Sequence, residues 1–126
     1  MAKKVLSIDD SKMVHMVVNR TLQPLNITVV TALNGQDGLD KARTEKPDVI
    51  ILDITMPVMD GLETLAKLKE SPETSSIPVL MLSADGGRDS IDKALKMGAV
   101  QFVTKPFTGD TLVAALTPHL NQAVAA

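Results

Sequence analysis

DVIILDITMP, residues Asp48–Pro57, sets four consecutive apolar residues, Val49 to Leu52, directly before a carboxylate, Asp53. An unbroken apolar run rich in Val and Ile reads as a strand covered on both faces, which is the habit of parallel sheets. Ligands of open parallel sheets bind beyond the carboxyl ends of the strands. Asp53 therefore stands where the chain passes from core to candidate site.

Similar runs recur at Val5–Ile8, Ile27–Ala32, Val79–Leu82 and Ala99–Val103. Helical patterns lie between and after them. Ser11–Gln23 places Met13, Val14, Val17, Val18 and Leu22 at helical spacing. Asn34 reads as the cap of a helix running to Glu45, and Pro47 marks its end. Gly61–Glu70 puts Leu62, Leu65 and Leu68 on one face and stops at Ser71-Pro72; Ser90–Met97 ends at a capping Gly98. A last helix follows Thr108 as N-cap, with Phe107 stapled to Leu112. Pro118 should end or kink it, leaving NQAVAA as a fraying tail. Strand and helix alternate five times, which implies an α/β fold: a single doubly wound five-stranded parallel sheet flanked by five helices. The length fits one domain, residues 1–126.

Composition narrows the function. The net charge of −2 gives no basic footprint for nucleic acid, and two Phe with no Trp or Tyr give no stacking platform for single strands or a flavin. No cysteine is present, which excludes disulfides, thiolate catalysis and cysteine zinc sites. No apolar stretch is long enough to cross a bilayer, and Met1–Asp10 does not read as a signal peptide. The expectation is a cytoplasmic protein with no membrane partner.

The strand ends carry the chemistry. The first is followed by Asp9-Asp10, the third by Asp53, the fourth by Ser83 and the fifth by Lys105-Pro106. Three carboxylates brought together repel one another unless a cation offsets them. Mg²⁺ suits them, being a hard ion that takes carboxylate and phosphate oxygens and keeps several waters. Lys105 offers a point charge for a phosphate and Ser83 a hydroxyl donor. A carboxylate nucleophile, a metal site, a cation and a hydroxyl are the equipment for phosphoryl transfer onto Asp53.

Asp9-Asp10, LDITMPVMDG (Leu52–Gly61), MLSA (Met81–Ala84) and TKPF (Thr104–Phe107), in this order and at these strand ends, make the chain resemble a receiver domain of two-component response regulators of the CheY-like, single-domain kind. The resemblance implies strand order 2-1-3-4-5. It implies that Asp53 accepts a phosphoryl group from a histidine kinase or histidine phosphotransfer protein, with Asp10, Asp53 and the main-chain carbonyl of Thr55 on Mg²⁺ and Asp9 helping through water. Lys105 would contact the phosphoryl group. Ser83 would move to bond it, and Phe102 would rotate with Ser83 as the switch. The Lys105-Pro106 bond would be cis. Thr55 and Asp85 stand at positions that tune hydrolysis of the aspartyl phosphate. Output would pass to a downstream protein through the face of the fourth helix, fifth strand and fifth helix, from a monomer for which phosphorylation-induced dimerisation stays open. The chain would not be an enzyme toward exogenous substrates.

Other readings stand beside this one. A phosphate sink or relay, and a receiver excised from a larger regulator, are variants of it. A phosphatase of the haloacid dehalogenase type needs an acid two residues after its nucleophile, where Thr55 stands; a flavodoxin-like binder needs a Thr/Ser/Gly loop where Asp9-Asp10-Ser11-Lys12 stands. His15 and His119 read as surface residues, and the methionines as gap fillers. On the first helix, Met13, Val14, Met16, Val17 and Val18 form an arc wider than a buried stripe, suited to dock a kinase's helical phosphotransfer domain.

Overall fold

A computed structural model describes residues 3–54, 59–84, 88–105 and 107–125, without the side chains of Ser83, Arg88 and residues 121–125. The expectations for Thr55, Asp85, Pro106 and the Ser83 hydroxyl therefore lie outside the described parts. The strands are β1 (Lys3–Ile8), β2 (Ile27–Ala32), β3 (Val49–Leu52), β4 (Val79–Ser83) and β5 (Gln101–Thr104). The helices are α1 (Lys12–Leu22), α2 (Gly35–Glu45), α3 (Gly61–Glu70), α4 (Arg88–Lys96) and α5 (Gly109–Ala125), with a 3₁₀ turn at Gln23–Leu25. All four strand pairings are parallel, in the order β2-β1-β3-β4-β5.

Strand alternation splits the core in two. Leu6, Ile8, Ile50, Leu52 and Met81 pack against Leu39 and Ala42 of α2, Leu65 and Leu68 of α3 and Ala94 of α4. Val5, Val49, Ile51, Leu80, Leu82 and Val103 pack against Val18 and Leu22 of α1 and Leu112 and Leu116 of α5. Each of these side chains is removed from water on folding, and burying an aliphatic side chain is worth roughly 1.5–3 kcal/mol. Covering both faces leaves mainly the sheet's edges and strand ends for polar groups.

The caps follow side-chain chemistry. The Asn34 side chain accepts from Asp37 N at 2.8 Å, and the Asp60 side chain accepts from Glu63 N at 2.8 Å. Thr108 Oγ1 accepts from Thr111 N at 3.1 Å, and Phe107 and Leu112 share one cluster. Gly98 takes φ +110°, the left-handed conformation of a helix C-terminal glycine.

The Ser11 side chain accepts from Val14 N and caps α1. Two local expectations change. The strand predicted at Ala99–Val103 runs instead over Gln101–Thr104: Ala99 N donates to Ala94 O and closes the end of α4, and the first bond to β4 comes from Val100 N, to Val79 O at 2.9 Å. Helix α5 runs through Pro118 to Ala125 instead of stopping. Pro118 and Ala114, whose carbonyl it leaves unpaired in the helix ladder, are both exposed, while Leu116 and Leu120 on either side are buried and hold the helix down. Among the described residues no helix is long and apolar enough to cross a membrane.

Candidate functional site

Ile8 of β1 pairs with Leu52 of β3, so the next residues, Asp9 and Asp53, leave the sheet side by side. The ladder extends one step beyond the strands: Asp53 N donates to Ile8 O at 3.0 Å and Asp9 N to Ala32 O at 3.0 Å. Both carboxylates are buried, Asp9 at 2% and Asp53 at 5% exposure, and Asp10 is exposed. Carboxylate oxygens of all three lie within 4.8 Å of one another. Ser83 pairs with Thr104, so β4 and β5 end together and bring Ser83 and Lys105 to the same edge.

Lys105 Nζ donates to Asp9 Oδ2 at 2.8 Å and lies 3.6 Å from Asp53 Oδ2. Among the described residues, one ammonium against three carboxylates leaves two formal negative charges in a partly buried cluster. All the ligand atoms are hard oxygens. A divalent hard cation matches both that charge and that chemistry, and Mg²⁺ is bound by one or two carboxylates together with waters and a phosphate oxygen. The donor set fits the ion implied by the sequence.

Phe102 is half-buried on β5 and packs against the core under α2, α3 and α4. The α1 arc divides: Val18 is buried, Val14 packs on the core, and Met13 and Met16 are 74% and 59% exposed. Besides these, an open groove of about 590 Å³ runs between β5 and α5, lined in part by Phe102, Thr104, Phe107 and Thr111.

Two parts of the site had no role assigned from sequence. Gly61 packs so closely on the segment after Asp53 that a Cβ there would overlap the Asp53 carbonyl, and Gly61 N donates to Ile54 O at 2.6 Å. The glycine thus lets α3 start against the backbone that presents Asp53. The Asp60-Gly61 pair, helix cap then close contact, is the signal that could have shown it. The second is His15, which is no surface residue. It is 7% exposed, with Nε2 2.7 Å from Asp9 O and Nδ1 3.0 Å from Ser7 Oγ. It belongs to the buried stripe of α1 with Val18 and Leu22, and that spacing of three and seven residues could have placed it.

Residues 5–117 match the response regulator receiver domain family. The chain is 47% identical over 104 residues to a protein-glutamate methylesterase/protein-glutamine glutaminase of Archaeoglobus fulgidus, covering 82% of this chain and 30% of that protein's length. It is 34% identical over 122 residues to the chemotaxis protein CheY of Bacillus subtilis, covering 96% of this chain and 100% of the relative. The solved structure of the chemotaxis response regulator CheY4 of Vibrio cholerae superposes with a TM-score of 0.88 at 34% identity, covering 94% of this chain and 99% of that one. The matched span runs through every strand and both sides of the acidic edge, and the chain belongs to the response regulator receiver domain family.

Proposed function

We propose that the chain is a phosphorylation-dependent signalling switch in which Asp53 accepts a phosphoryl group from a histidine kinase or a histidine phosphotransfer protein. The observation that carries this reading is the convergence of Asp9, Asp10, Asp53 and Lys105 on one edge of the sheet. A carboxylate oxygen of Asp53 attacks the phosphorus of a phosphohistidine. The O–P bond forms as the P–N bond breaks, and the electron pair of the broken bond returns to the donor's imidazole nitrogen. Lys105, already shared between Asp9 and Asp53, turns its ammonium to the transferred oxygens. Asp9, Asp10, Asp53 and the Thr55 carbonyl would hold Mg²⁺, which when bound neutralises charge on the phosphoryl oxygens.

The donor docks on the exposed Met13 and Met16 face of α1. Phosphorylation of Asp53 then draws the Ser83 hydroxyl toward a phosphoryl oxygen, and Phe102, only half-buried, rotates into the space released. The groove between β5 and α5, bordered by Phe102, lies on the α4-β5-α5 face and is the surface a downstream protein reads. A second reading has one specific support: a relative at 47% identity carries the matching region as 30% of its length, so the switch would then govern an attached output domain.

Beryllofluoride, which mimics a phosphoryl group on a carboxylate, tests the switch. With Mg²⁺ present, backbone amide signals of Asp53, Ser83, Phe102 and Lys105 should shift together with those along β5 and α5. Shifts confined to residues 9, 10 and 53 would leave a metal site with no switch.

A further inference from the structure

We infer that His15 is a positioning residue for the acidic site: through one imidazole tautomer it holds the Asp9–Asp10 peptide, and so places two of the three carboxylates. The inference rests on the reading of that site as a metal-dependent phosphoryl acceptor.

A carbonyl oxygen can only accept, so the 2.7 Å contact requires His15 Nε2 to carry the proton and donate to Asp9 O. In the neutral ring Nδ1 is then the acceptor, and the Ser7 hydroxyl, 3.0 Å away and fully buried, is placed to donate to it. Ser7 reaches His15 because it shares with Val5 the sheet face covered by α1. With His15 included, every polar group of Asp9 is held. Its N–H donates to Ala32 O, its carbonyl accepts from His15, Oδ1 accepts from Ser11 N at 3.0 Å and Oδ2 accepts from Lys105.

The peptide unit is planar, so the direction of the Asp9 carbonyl also fixes where Asp10 N and Cα lie. Asp10 is exposed and Asp9 buried, so the exposed ligand inherits its place from the buried one. A phenylalanine would keep a planar aromatic ring at this place but would leave the buried Asp9 carbonyl and Ser7 hydroxyl unpartnered, free to turn the peptide plane. Groups that orient a metal's ligands typically matter 10–100-fold in affinity.

The test measures Mg²⁺ affinity by calorimetry, well below every variant's unfolding midpoint, in wild type, His15→Phe, His15→Gln and Ser7→Ala. It is accompanied by ring ¹⁵N signals of His15 in the metal-free protein. The wild type should show the Nε2–H tautomer alone. His15→Phe should weaken Mg²⁺ binding roughly 10-fold or more, and His15→Gln, whose amide can donate to the carbonyl, should recover most of it. Ser7→Ala should bring in the Nδ1–H tautomer with weaker binding, and it decides the matter if the phenylalanine variant does not fold. Unchanged affinity in these variants beside a wild type that binds Mg²⁺ would overturn the inference. So would equal weakening by Phe and Gln that merely tracks their thermal midpoints. A wild type that binds no Mg²⁺ would instead overturn the functional reading on which the inference stands.

Discussion

The two ends of the sheet use the same residue types to opposite effect. At the end where β1 and β3 begin, Lys4 and Asp48 exchange main-chain and side-chain bonds: Lys4 N donates to Asp48 Oδ2 and Asp48 N to Lys4 O, both at 2.8 Å. Lys4 Nζ pairs with Glu45 Oε1 at 3.2 Å, and Lys69 Nζ donates to the carbonyls of Ser75 and Ile77. Each of these charges has a partner of its own. At the carboxyl end, among the described residues, one lysine serves a cluster of three carboxylates, two of them buried. Matched charges tie loops to the sheet, whereas a surplus of one sign, held in place by the fold, is what a ligand can neutralise.

The sharpest way to break that contrast is to remove one carboxylate at each end. Asp10→Asn should weaken Mg²⁺ binding by roughly 10–100-fold, since a lost ligand costs at least what a lost supporting group does. Asp48→Asn should leave it unchanged. Read as thermal stability, Mg²⁺ at a hundred times its dissociation constant adds about 2.7 kcal/mol to the wild type. That gain should persist in Asp48→Asn and shrink in Asp10→Asn. Equal Mg²⁺ responses in the two variants would erase the distinction between the ends.

Gly61→Ala sharpens the comparison by disturbing the carboxyl end without touching a charge. The added Cβ meets the Asp53 carbonyl, and overpacking of this kind costs about 1–3 kcal/mol. Denaturant unfolding should show that loss, and phosphoryl acceptance should slow as Asp53 is displaced. A variant of unchanged stability would mean that the β3–α3 approach is looser than its geometry.

Asp48→Ala should cost about 1–3 kcal/mol by leaving Lys4 N without its acceptor, with the phosphorylation rate of the folded protein unaltered. A slower rate at matched folded fraction would show that the two ends are coupled.

The smallest effect concerns Lys69, whose burial lowers its pKa below 10.5. Between that lowered value and 10.5 the unfolded chain binds more protons at this site than the folded one, so stability rises with pH across this window. Lys69→Met should remove this part of the alkaline slope in unfolding experiments. An unaltered slope would assign it to other groups.

Much of this architecture is legible in the sequence because its strands are doubly buried. VIIL and VLML admit few other readings, and covering both faces forces the polar residues that follow them onto one edge. The strand order came from resemblance, since no residue pattern states which buried strand lies beside which. β5 was misplaced by two residues because Ala99 and Val100 look like strand. The Ala99 N–H is spent on the end of α4, a use visible only once that helix is docked. His15 was hidden for a related reason. Its partners are a main-chain carbonyl and a serine on a neighbouring strand, and a search for a nearby acid cannot find either. Asp53, Asp9, Asp10 and Lys105 were legible as a group because each directly follows a strand, where direction and register leave little freedom.

The central claim is that the acidic cluster at the carboxyl end is a phosphoryl-accepting site. Intact mass after incubation with acetyl phosphate, with and without Mg²⁺, for wild type and Asp53→Asn, tests it most directly. The account predicts one added phosphoryl group on the wild type with Mg²⁺ and none when either Mg²⁺ or Asp53 is removed. A phosphoryl group that persists on Asp53→Asn, or that forms equally well without Mg²⁺, would contradict it.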